Sequence, residues 1–456
     1  MSMELTAGTK AVVLGLGISG LAVLRYLQSR GLEVAVSEFR SYEELSADEK
    51  AVCREVELET GGHGEQLVLS ADLLVPSPGV PLDLDVLKAA REKGIPIVGE
   101  PALAAGEFTV PVIAVTGSNG KTTVTGLIGE LLNCSGLRPF VGGNIGTPLL
   151  SYLLDPGGYD VVVLELSSFQ LDLSGSFRPD VGLLLNLSPD HLDRHGDMAG
   201  YARAKQRIFR HQEAGDSAIL GGDDPLVMES AQGLTGRVRI FGHGPEAQAR
   251  VVEDKVVVIR DGRKDVFDLK ETRLNSRVNR LNAAAAILAA GCVDADSEGI
   301  RKGLAGYRPP ENRMTPVAEI NGVRFINDSK ATNVGAMAAA LESCPPGVVL
   351  LAGGRDKGGD FSAIRELVRE KVDTMICIGE ASALLISVFA DVVAVEQAKD
   401  MAAAVDRAAS MAEPGQVVLL APGCASFDMF TGYAERGRVF TGLVQELKER
   451  EQEVNR

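Results

Sequence analysis

The feature that most constrains the fold is a glycine-rich segment, Thr116–Thr123 (TGSNGKTT), which directly follows an apolar run that begins near Val110. Its GKT ending is typical of a phosphate-binding loop. Backbone N–H groups surround the phosphates of such a loop, Lys121 pairs with the β- and γ-phosphate oxygens, and the Thr122 hydroxyl reaches Mg²⁺. This arrangement needs a strand that feeds the N-terminus of a helix, so the segment predicts an α/β fold with a parallel sheet.

The loop is a shortened variant of its pattern, because the full pattern has a glycine where this chain has Val115. We still predict that it binds a nucleoside triphosphate, since strand, loop and helix follow in the required order. The predicted ATP-binding residues of the loop are Gly117, Ser118, Asn119, Gly120, Lys121, Thr122 and Thr123.

A second glycine-rich loop, Gly15–Gly20 (GLGISG), follows the predicted strand Ala11–Leu14 and opens the predicted helix Leu21–Ser29. Glu38 lies 18 residues beyond Gly20, at the end of the next predicted strand. This combination is typical of a dinucleotide site and, taken alone, suggests NAD. The same geometry holds any diphosphate, and a tight turn that packs a helix on a sheet would leave the same residues. Two phosphate loops in one chain favour an ATP-using enzyme with a second phosphorylated substrate.

The rest of the chain repeats the alternation of short apolar runs and helical patterns, which predicts three α/β domains at 1–107, 108–308 and 309–456. Residues 251–268 indicate an antiparallel insertion with a turn at Asp261-Gly262. Two further helices are predicted, Asn279–Ala290 and Val444–Val454, the second with a solvated charged face. The further predicted strands are Glu33–Ser37, Leu73–Val75, Ile95–Val98, Asp160–Leu164, Val181–Leu185, Ser217–Leu220, Val323–Ile326, Val348–Ala352, Met375–Ile378 and Val417–Ala421.

Composition excludes several classes of protein. The 456 residues include 46 Lys and Arg against 62 Asp and Glu, a net charge of −16, which argues against a general nucleic-acid-binding protein. An apolar fraction of 45% excludes disorder, and six cysteines without a CxxC pair favour neither a disulfide frame nor a zinc site. We find no signal-peptide pattern and no apolar run near the ~20 residues of a membrane helix. We therefore expect a cytoplasmic protein without membrane insertion.

Five motifs occur in an order that resembles the Mur ligases, the ATP-dependent amide-forming enzymes of peptidoglycan precursor synthesis. They are TGSNGKTT, ELSSFQL (Glu165–Leu171), NLSPDHLDRHG (Asn186–Gly196), NDSKATN (Asn327–Asn333) and GGRDKGGDF (Gly353–Phe361). Together with the terminal APGCASFDMF and ERGRVF they are most similar to the D-glutamate-adding members. Folylpolyglutamate synthetases share the core of the ATP site. The resemblance covers nearly the whole chain.

The resemblance implies a Rossmann-like N-terminal domain, a central P-loop ATPase-type domain with a parallel sheet, and a Rossmann-like C-terminal domain. It also implies the reaction. ATP phosphorylates the L-alanine carboxylate of UDP-N-acetylmuramoyl-L-alanine, and the amine of D-glutamate attacks the acyl phosphate to give an amide through a tetrahedral intermediate. We expect two Mg²⁺ sites, with Mn²⁺ as an alternative metal, CO₂ as the source of a lysine carbamate, and a monomer.

Glu165 ends the apolar run VVVLE beside the phosphate loop, where a carboxylate ligand of Mg²⁺ is expected. By the resemblance it holds one ion with Thr122, while His191 binds a second ion near the attacking amine. Lys205 matches the family lysine that is carbamylated, which would turn a cation into an anionic oxygen ligand. The implied metal ligands are Thr122, Glu165, His191 and Lys205, and the implied catalytic residues are Lys121, His191, Lys205 and Lys330.

The remaining implied contacts fall into three groups, which we list by ligand. ATP would also contact Asn279, Asn282, Arg313 and Asp328. The UDP-sugar would contact Gly17, Ile18, Ser19, Glu38, Arg40, Asn144 and Ser167. D-Glutamate would contact Thr332, Lys357, Ser426 and Tyr433. Because the C-terminal domain supplies part of the ATP site, we expect open and closed forms.

The chain departs from the family pattern at two places. Asn312 stands where the family often has His, so adenine or hinge contacts differ there. Glu38-Phe39-Arg40 replaces the more usual Asp-Thr-Arg type of sequence at the uridine site. Three alternatives stay open at this point: another Mur ligase or a polyglutamate synthetase, an NAD-dependent oxidoreductase, and an ATP-gated binding or scaffold protein.

Overall fold

A computed structural model describes residues 6, 8–260 and 263–454, which form three β-sheets flanked by helices. By their contacts the residues divide into two compact units, each described separately below. The first unit holds Met1–Asn186, Ala199–Lys270 and Asn282–Gly306, and the second holds Leu187–Met198, Glu271–Leu281 and Tyr307–Arg456. Each sheet lies within one of the three domains that the sequence predicts, but the domain boundaries themselves stay predictions.

The N-terminal sheet has four parallel strands in the order β3-β2-β1-β4, as the α/β rhythm predicts. Its strands are β1 (Lys10–Leu14), β2 (Glu33–Glu38), β3 (Glu57–Thr60) and β4 (Leu73–Pro76). Its helices are α1 (Ile18–Ser29), α2 (Ala47–Val52), α3 (Glu65–Val68), α4 (Asp85–Glu92) and α5 (Glu100–Leu103). The predicted strand Ile95–Val98 is wrong, because that segment joins the sheet through a single bridge between Leu74 and Ile97.

The central sheet has nine strands in the order β13-β12-β11-β10-β9-β8-β5-β7-β6. Its strands are β5 (Val112–Thr116), β6 (Pro139–Gly143), β7 (Val161–Glu165), β8 (Val181–Leu184), β9 (Ser217–Gly221), β10 (Arg237–Gly242), β11 (Ala249–Val252), β12 (Lys255–Arg260) and β13 (Arg263–Asp268). Strands β5 to β11 pair in parallel. Strand β12 pairs antiparallel with both β11 and β13, which confirms the predicted insertion. The predicted turn at Asp261-Gly262 lies outside the described residues.

Eight helices of the described residues lie between or after these strands in the sequence. They are α6 (Lys121–Cys134), α7 (Leu149–Leu154), α8 (Ser168–Asp172), α9 (Leu192–His195), α10 (Met198–Gln206), α11 (Pro225–Glu229), α12 (Arg277–Gly291) and α13 (Ser297–Gly306). Strands β5, β7 and β8 are buried along their length, as the apolar runs predict, so the loops after them emerge at one edge of the sheet.

The C-terminal sheet has six strands in the order β14-β15-β19-β16-β17-β18, parallel except for the pair β14 and β15. The strands are β14 (Thr315–Ile320), β15 (Val323–Asn327), β16 (Val348–Gly353), β17 (Val372–Ile378), β18 (Ala394–Gln397) and β19 (Val417–Gly423). The helices are α14 (Val334–Glu342), α15 (Arg365–Lys371), α16 (Ser382–Phe389), α17 (Met401–Met411) and α18 (Tyr433–Val454).

Helix α18 differs from the prediction of a charged, solvated tail helix at Val444–Val454. It begins at Tyr433, and it buries Phe440, Val444 and Leu447 in a core cluster of the C-terminal sheet. The apolar stripe is difficult to recognise in the sequence because most residues of this segment are charged. One buried face of a long helix needs only a few apolar positions.

No helix among the described residues combines the length and the apolar character needed to cross a membrane.

Candidate functional site

The loop between β5 and α6 has the geometry of a phosphate-binding loop. Gly117 and Gly120 both have positive φ angles, +151° and +86°, which residues other than glycine rarely adopt. A Cβ on Gly117 would lie 2.9 Å from Leu185 Cβ, and one on Gly120 would lie 2.6 Å from Asn282 Oδ1. The two glycines therefore let the loop turn tightly against neighbouring chain, and they place Asn282, a predicted ATP contact, beside it.

Two lysine side chains reach the same carbonyl of this loop. Lys121 Nζ donates to Gly117 O at 2.7 Å and to Ser118 O at 2.8 Å, and Lys205 Nζ donates to Gly117 O at 2.8 Å. Lys205 is 1% exposed and lies 4.6 Å from the ring centroid of Tyr201, whose hydroxyl bonds Ser118 Oγ. Lys205 is therefore buried at the phosphate loop.

Asn186, which we did not predict as a site residue, fixes the loop from the next strand. Its backbone O accepts from Ser118 N at 2.9 Å, and its side chain exchanges hydrogen bonds with the backbone N and O of Asn119 at 2.8 and 3.0 Å. The signal in the sequence is an asparagine directly after the apolar run VGLLL, at the carboxyl end of a buried strand.

Glu165 ends β7 beside the loop and has a buried oxygen without a protein partner. The residue is 2% exposed, its Oε1 accepts from Asn144 Nδ2 at 2.8 Å, and its Oε2 has no hydrogen-bond partner. β5 and β7 are neighbours in register, with Val115 opposite Glu165. A buried carboxylate oxygen that lacks a donor is costly, and it fits a cation.

Thr122, the residue predicted to hold a metal ion with Glu165, lies on a different element. Thr122 is in the first turn of α6, next to Lys121, and Thr123 in that turn is buried. No group of three or more His, Cys, Asp or Glu side chains lies close enough to hold a metal ion within the part of the chain that the structure describes. A Mg²⁺ site here would therefore rest on Glu165 with hydroxyl oxygens, water and phosphate, which is the usual way that proteins bind this ion.

The loop between β1 and α1 is fixed by Glu38. Glu38 is 4% exposed, and its Oε2 accepts from Leu16 N at 2.6 Å. Arg40 donates to both oxygens of Glu38 and to Glu49 Oε1 at 2.9 Å. Burial acts to raise the pKa of Glu38, but the hydrogen bonds from Arg40 and from the backbone outweigh it and hold the pKa at about 2. Glu38, the acidic residue of the predicted dinucleotide-type pattern, thus stabilises the glycine-rich loop Gly15–Gly20.

Gly20 closes the same loop. A Cβ on Gly20 would lie 2.0 Å from Gly15 O, whereas one on Gly17 would meet nothing within 4 Å. Ser77, which follows β4, donates from Oγ to Gly15 O at 2.9 Å. We did not predict Ser77 as a site residue, although the turn Ser77-Pro78-Gly79 after a buried strand marks the same sheet edge.

A cleft of about 560 Å³ opens over this loop. Six of the seven residues predicted for the UDP-sugar line it: Gly17, Ile18, Ser19, Glu38, Arg40 and Asn144. Ser167 does not line this cleft, because its hydroxyl caps α8 by accepting from Gln170 N at 3.2 Å. Gln170 itself lines the cleft, which the motif ELSSFQL could have suggested. Asn144 joins the cleft to the Glu165 carboxylate.

The second unit gathers His191 with three polar residues. Asp190 Oδ1 lies 3.7 Å from His191 Nε2 and 3.4 Å from Lys357 Nζ, and Asp190 Oδ2 accepts from Asn333 Nδ2 at 3.1 Å. His191 has a positive φ of +54°, in the left-handed region, which is uncommon for residues other than glycine. The structure brings His191 together with Lys357, a predicted D-glutamate contact. The side chain of Asp193 lies outside the described part of the structure.

The predicted nucleotide contacts of the C-terminal sheet lie around β15. Asp328 Oδ1 accepts from Met314 N at 3.2 Å. Burial raises the pKa of Asp328 to about 7, against the opposing effects of that N–H and of Arg313. Asn312, the departure from the family's His, is buried with φ +63°, and its Oδ1 accepts from Asn327 Nδ2 at 3.0 Å. Asn312 therefore has a structural role within this unit. Asn279 lies in the first turn of α12.

Three of the four residues predicted for D-glutamate lie on loops at the carboxyl edge of the C-terminal sheet, and the fourth, Tyr433, begins helix α18. Lys330 Nζ is 3.8 Å from the ring centroid of Tyr433, a cation–π contact. Ser426 is 2% exposed and follows β19, and Thr332 lies two residues beyond Lys330 in the loop after β15. Lys357, in the loop after β16, is 28% exposed and is paired with Asp190.

Three family models match successive parts of the chain: the Mur ligase MurD-like N-terminal domain at residues 9–99, the Mur ligase middle domain at 115–290, and the Mur ligase glutamate ligase domain at 312–424. A protein of Desulfotalea psychrophila named UDP-N-acetylmuramoylalanine–D-glutamate ligase is 46% identical over 97% of each chain. The chain belongs to the Mur ligase family. A protein of Desulfosudis oleivorans with the same name is 43% identical, over 97% of this chain and 98% of the relative.

Solved structures agree on the fold. The MurF ligase from Thermotoga maritima in complex with ADP is 19% identical and matches with a TM-score of 0.59, over 99% of this chain and 96% of that chain. These comparisons confirm three predictions: that the chain is a Mur ligase, that its fold is α/β in three domains, and that it is an enzyme of the ligase class. Mur ligases depend on ATP and act on small-molecule substrates, so this chain uses ATP with Mg²⁺.

Proposed function

We propose that this Mur ligase couples the amine of D-glutamate to the L-alanine carboxylate of UDP-N-acetylmuramoyl-L-alanine, with ATP converted to ADP and phosphate. The observation that carries the proposal is the link through Asn144, which lines the UDP-sugar cleft and donates to Glu165 beside the phosphate loop. A sugar nucleotide in that cleft would extend its acyl end toward the residues that hold ATP. The names of the relatives, at 39–46% identity, support the choice of substrates.

The first step is phosphoryl transfer to the substrate carboxylate. One carboxylate oxygen attacks the γ-phosphorus of ATP and ADP leaves. Lys121 would stabilise the charge on the transferring group, because its ammonium already points into the loop. Backbone N–H groups of Gly117 to Thr123 would surround the phosphates, with the helix α6 N-terminus directed at them.

The second step is acyl transfer. The neutral amine of D-glutamate attacks the acyl phosphate carbon, and the tetrahedral intermediate expels phosphate and loses a proton to give the amide. We propose that His191 lies beside the attacking amine. Its neighbour Asp190 would orient the imidazole, at 3.7 Å from Nε2.

The residues fit Mg²⁺, which when bound would neutralise phosphate charge during transfer. Glu165, with its unpartnered Oε2, and Thr122 would hold one ion. We propose that His191 binds a second ion, and that carbamylated Lys205 is an oxygen ligand for Mg²⁺. The burial of Lys205 at the phosphate loop supports this role, because a bound metal ion would stabilise a buried anionic carbamate, whose carbon CO₂ supplies.

The remaining sites follow the family resemblance. For the nucleotide we propose Asn279 and Asn282 near adenine, Arg313 at phosphate, Asp328 at ribose and Lys330 near the γ-phosphate. For D-glutamate we propose Thr332, Lys357, Ser426 and Tyr433, since one ammonium and several hydroxyls suit a γ-carboxylate. We also propose the three domain boundaries given above, a monomer, and a cytoplasmic location where ATP is available.

The test is release of phosphate from ATP and Mg²⁺ in the presence of UDP-N-acetylmuramoyl-L-alanine. D-Glutamate is compared with L-glutamate, L-lysine, meso-diaminopimelate and no amino acid. We expect release with D-glutamate alone, together with the matching mass gain in the nucleotide product. Release that is as fast with another amine would overturn the proposed acceptor and its pocket.

A further inference from the structure

Arg436, in the first turn of α18, is a buried charge. It is 1% exposed and is the largest of the fully buried side chains in the described structure. Burial lowers its pKa to about 10, so the guanidinium remains charged at neutral pH. A buried cation is costly unless its donors are satisfied, and arginine has five donors in a fixed planar geometry.

The five donor positions of Arg436 all have acceptors. Nε donates to Ser329 Oγ at 3.0 Å, and Nη2 donates to Ser329 O at 2.8 Å and to Cys424 O at 3.1 Å. Nη1 donates to Ala425 O at 3.3 Å and to Gly353 O at 3.4 Å. One side chain thus holds backbone at the carboxyl ends of three strands, where the loops after β15, β16 and β19 begin.

Each of these three loops carries a residue proposed for D-glutamate. Thr332 follows Ser329, Lys357 follows Gly353, and Ser426 follows Ala425. The fourth, Tyr433, is reached through Ser329, whose Oγ accepts from Arg436 and donates to Tyr433 O at 2.8 Å. All four proposed contacts therefore depend on the same guanidinium, although Arg436 itself is buried behind them.

The chain after β16 packs closely against the chain after β19 and against the guanidinium. Gly354 has a φ of +125°, and a Cβ there would lie 2.1 Å from Ala425 O and 3.1 Å from Arg436 Nη1. The loop after β16 therefore packs directly on the loop after β19 and on the guanidinium. A change in the position of Arg436 would move these loops relative to one another.

We propose that Arg436 is a positioning residue that sets the geometry of the D-glutamate pocket. The inference rests on the proposed function, because it assumes that the four residues bind D-glutamate. A lysine keeps the charge but has no planar fork, so it would hold one or two of the loops at best. The pocket would then lose its shape for the amino acid, while the phosphate loop in the other unit keeps its contacts.

The experiment compares Arg436→Lys with the matched control Arg438→Lys, an exposed arginine of the same helix. KM for D-glutamate, KM for ATP, kcat and the thermal midpoint are measured for both variants and for wild type. We expect Arg436→Lys to raise KM for D-glutamate about tenfold or more, because several hydrogen bonds from a charged donor are lost. KM for ATP should rise less than KM for D-glutamate, because the phosphate loop lies in the other unit and only Asp328 and Lys330 of the proposed ATP contacts flank Ser329. Arg438→Lys should match wild type.

A second variant keeps the test decisive if Arg436→Lys does not fold. Ser329→Ala removes the hydroxyl between Arg436 and Tyr433 but leaves the guanidinium and its four carbonyl contacts. We expect a smaller rise in KM for D-glutamate, which should again exceed any change in KM for ATP. A merely structural role predicts instead a lower thermal midpoint and a lower kcat with every KM unchanged, and that result in the folded variants would overturn the inference.

The two proposals fail in different ways. Wild-type enzyme without D-glutamate-dependent phosphate release would overturn the proposed function and this inference with it. Wild-type enzyme that is active with D-glutamate, together with variants whose KM for D-glutamate is unchanged, would overturn this inference alone.

Discussion

At the scale of single residues, two buried residues at the phosphate loop, Glu165 and Lys205, carry most of the proposed metal chemistry. Glu165 has one oxygen bonded to Asn144 and one oxygen with no hydrogen-bond partner. A chain selected for stability alone would pair this oxygen or replace the carboxylate, because an unpaired buried charge costs several kcal/mol. The position of Glu165 at the end of β7, beside the phosphate loop, gives the unpaired carboxylate oxygen a reason in metal binding.

Glu165→Gln tests this directly. The change removes the negative charge and keeps the shape, so we expect phosphate release to fall by a factor of about 100 or more, as for loss of an important electrostatic group. The thermal midpoint should stay the same or rise, since a buried charge is removed. The exposed Glu229→Gln serves as the control. Full activity of Glu165→Gln would exclude Glu165 as a metal ligand.

Lys205 is a second buried residue at the phosphate loop. Lys205→Ala should lose most of its phosphate release because the proposed carbamate is lost, and depletion of bicarbonate should lower the activity of wild type but not that of the variant. A ¹³C-bicarbonate NMR signal bound to wild type and missing from Lys205→Ala would identify the carbamate. A variant with full activity, and a wild type insensitive to bicarbonate, would show that Lys205 acts only as a buried cation near Gly117.

At the scale of elements, the first glycine loop can be tested with a matched pair. A Cβ on Gly20 would lie 2.0 Å from Gly15 O, and one on Gly17 would have open space. Gly20→Ala should therefore destabilise the protein by about 1–3 kcal/mol, the usual cost of overpacking. Gly17→Ala should leave the free energy of unfolding nearly unchanged. Urea unfolding measures both, and equal effects of the two changes would contradict the tight packing of α1 on this loop.

The sequence predicts the elements best where the strand is buried. The apolar runs of β1, β5, β7, β8, β16 and β19 are recognisable without the structure, because strands covered on both faces have few polar positions. The strands that we did not predict include Glu57–Thr60 and Ala394–Gln397, which lie at sheet edges and are short segments that contain charged or polar residues. Ile95–Val98 has a strand composition, yet it forms only a bridge with Leu74.

The site was predictable where one residue type performs recognisable chemistry. The loop glycines, Lys121 and Glu165 carry such a signal. Asn186 and Gln170 carry little signal of their own, because their roles depend on which loops the sheet order brings together. Arg436 is a further case, since a buried arginine looks in the sequence like one more charge on a helix that is rich in Glu and Arg.

At the scale of the whole molecule, two buried carboxyl groups link stability to pH in opposite directions. Burial raises the pKa of Glu100 to about 7, against the lowering effect of hydrogen bonds such as the one from Leu150 N. From its ordinary value of 4.5 up to about pH 7 the folded protein holds a proton that the unfolded chain has lost. The free energy of unfolding should therefore fall as the pH rises through this window. Glu38, with a pKa of about 2, acts in the opposite sense and loses its contribution as the pH falls from 4.5 toward 2.

Glu100→Gln should remove the fall in the free energy of unfolding that wild type shows above pH 4.5. The shift of Glu100 corresponds to at most about 3 kcal/mol at pH 8, so the variant should gain a measurable part of this relative to wild type at pH 8 and little at pH 4.5. Urea unfolding at both pH values measures the difference, with the exposed Glu92→Gln as the control. A variant that is less stable than wild type at pH 8 would contradict a neutral, buried Glu100.

The central claim is that the UDP-sugar cleft and the phosphate loop act on one carboxylate. The most direct measurement uses UDP-N-acetylmuramoyl-L-alanine labelled with ¹⁸O in the alanine carboxylate, together with ATP, Mg²⁺ and D-glutamate. The account predicts that one labelled oxygen leaves in the released phosphate, because that oxygen attacks the γ-phosphorus and departs when the amide forms. Amide product formed with phosphate free of ¹⁸O would contradict activation of the carboxylate by phosphoryl transfer.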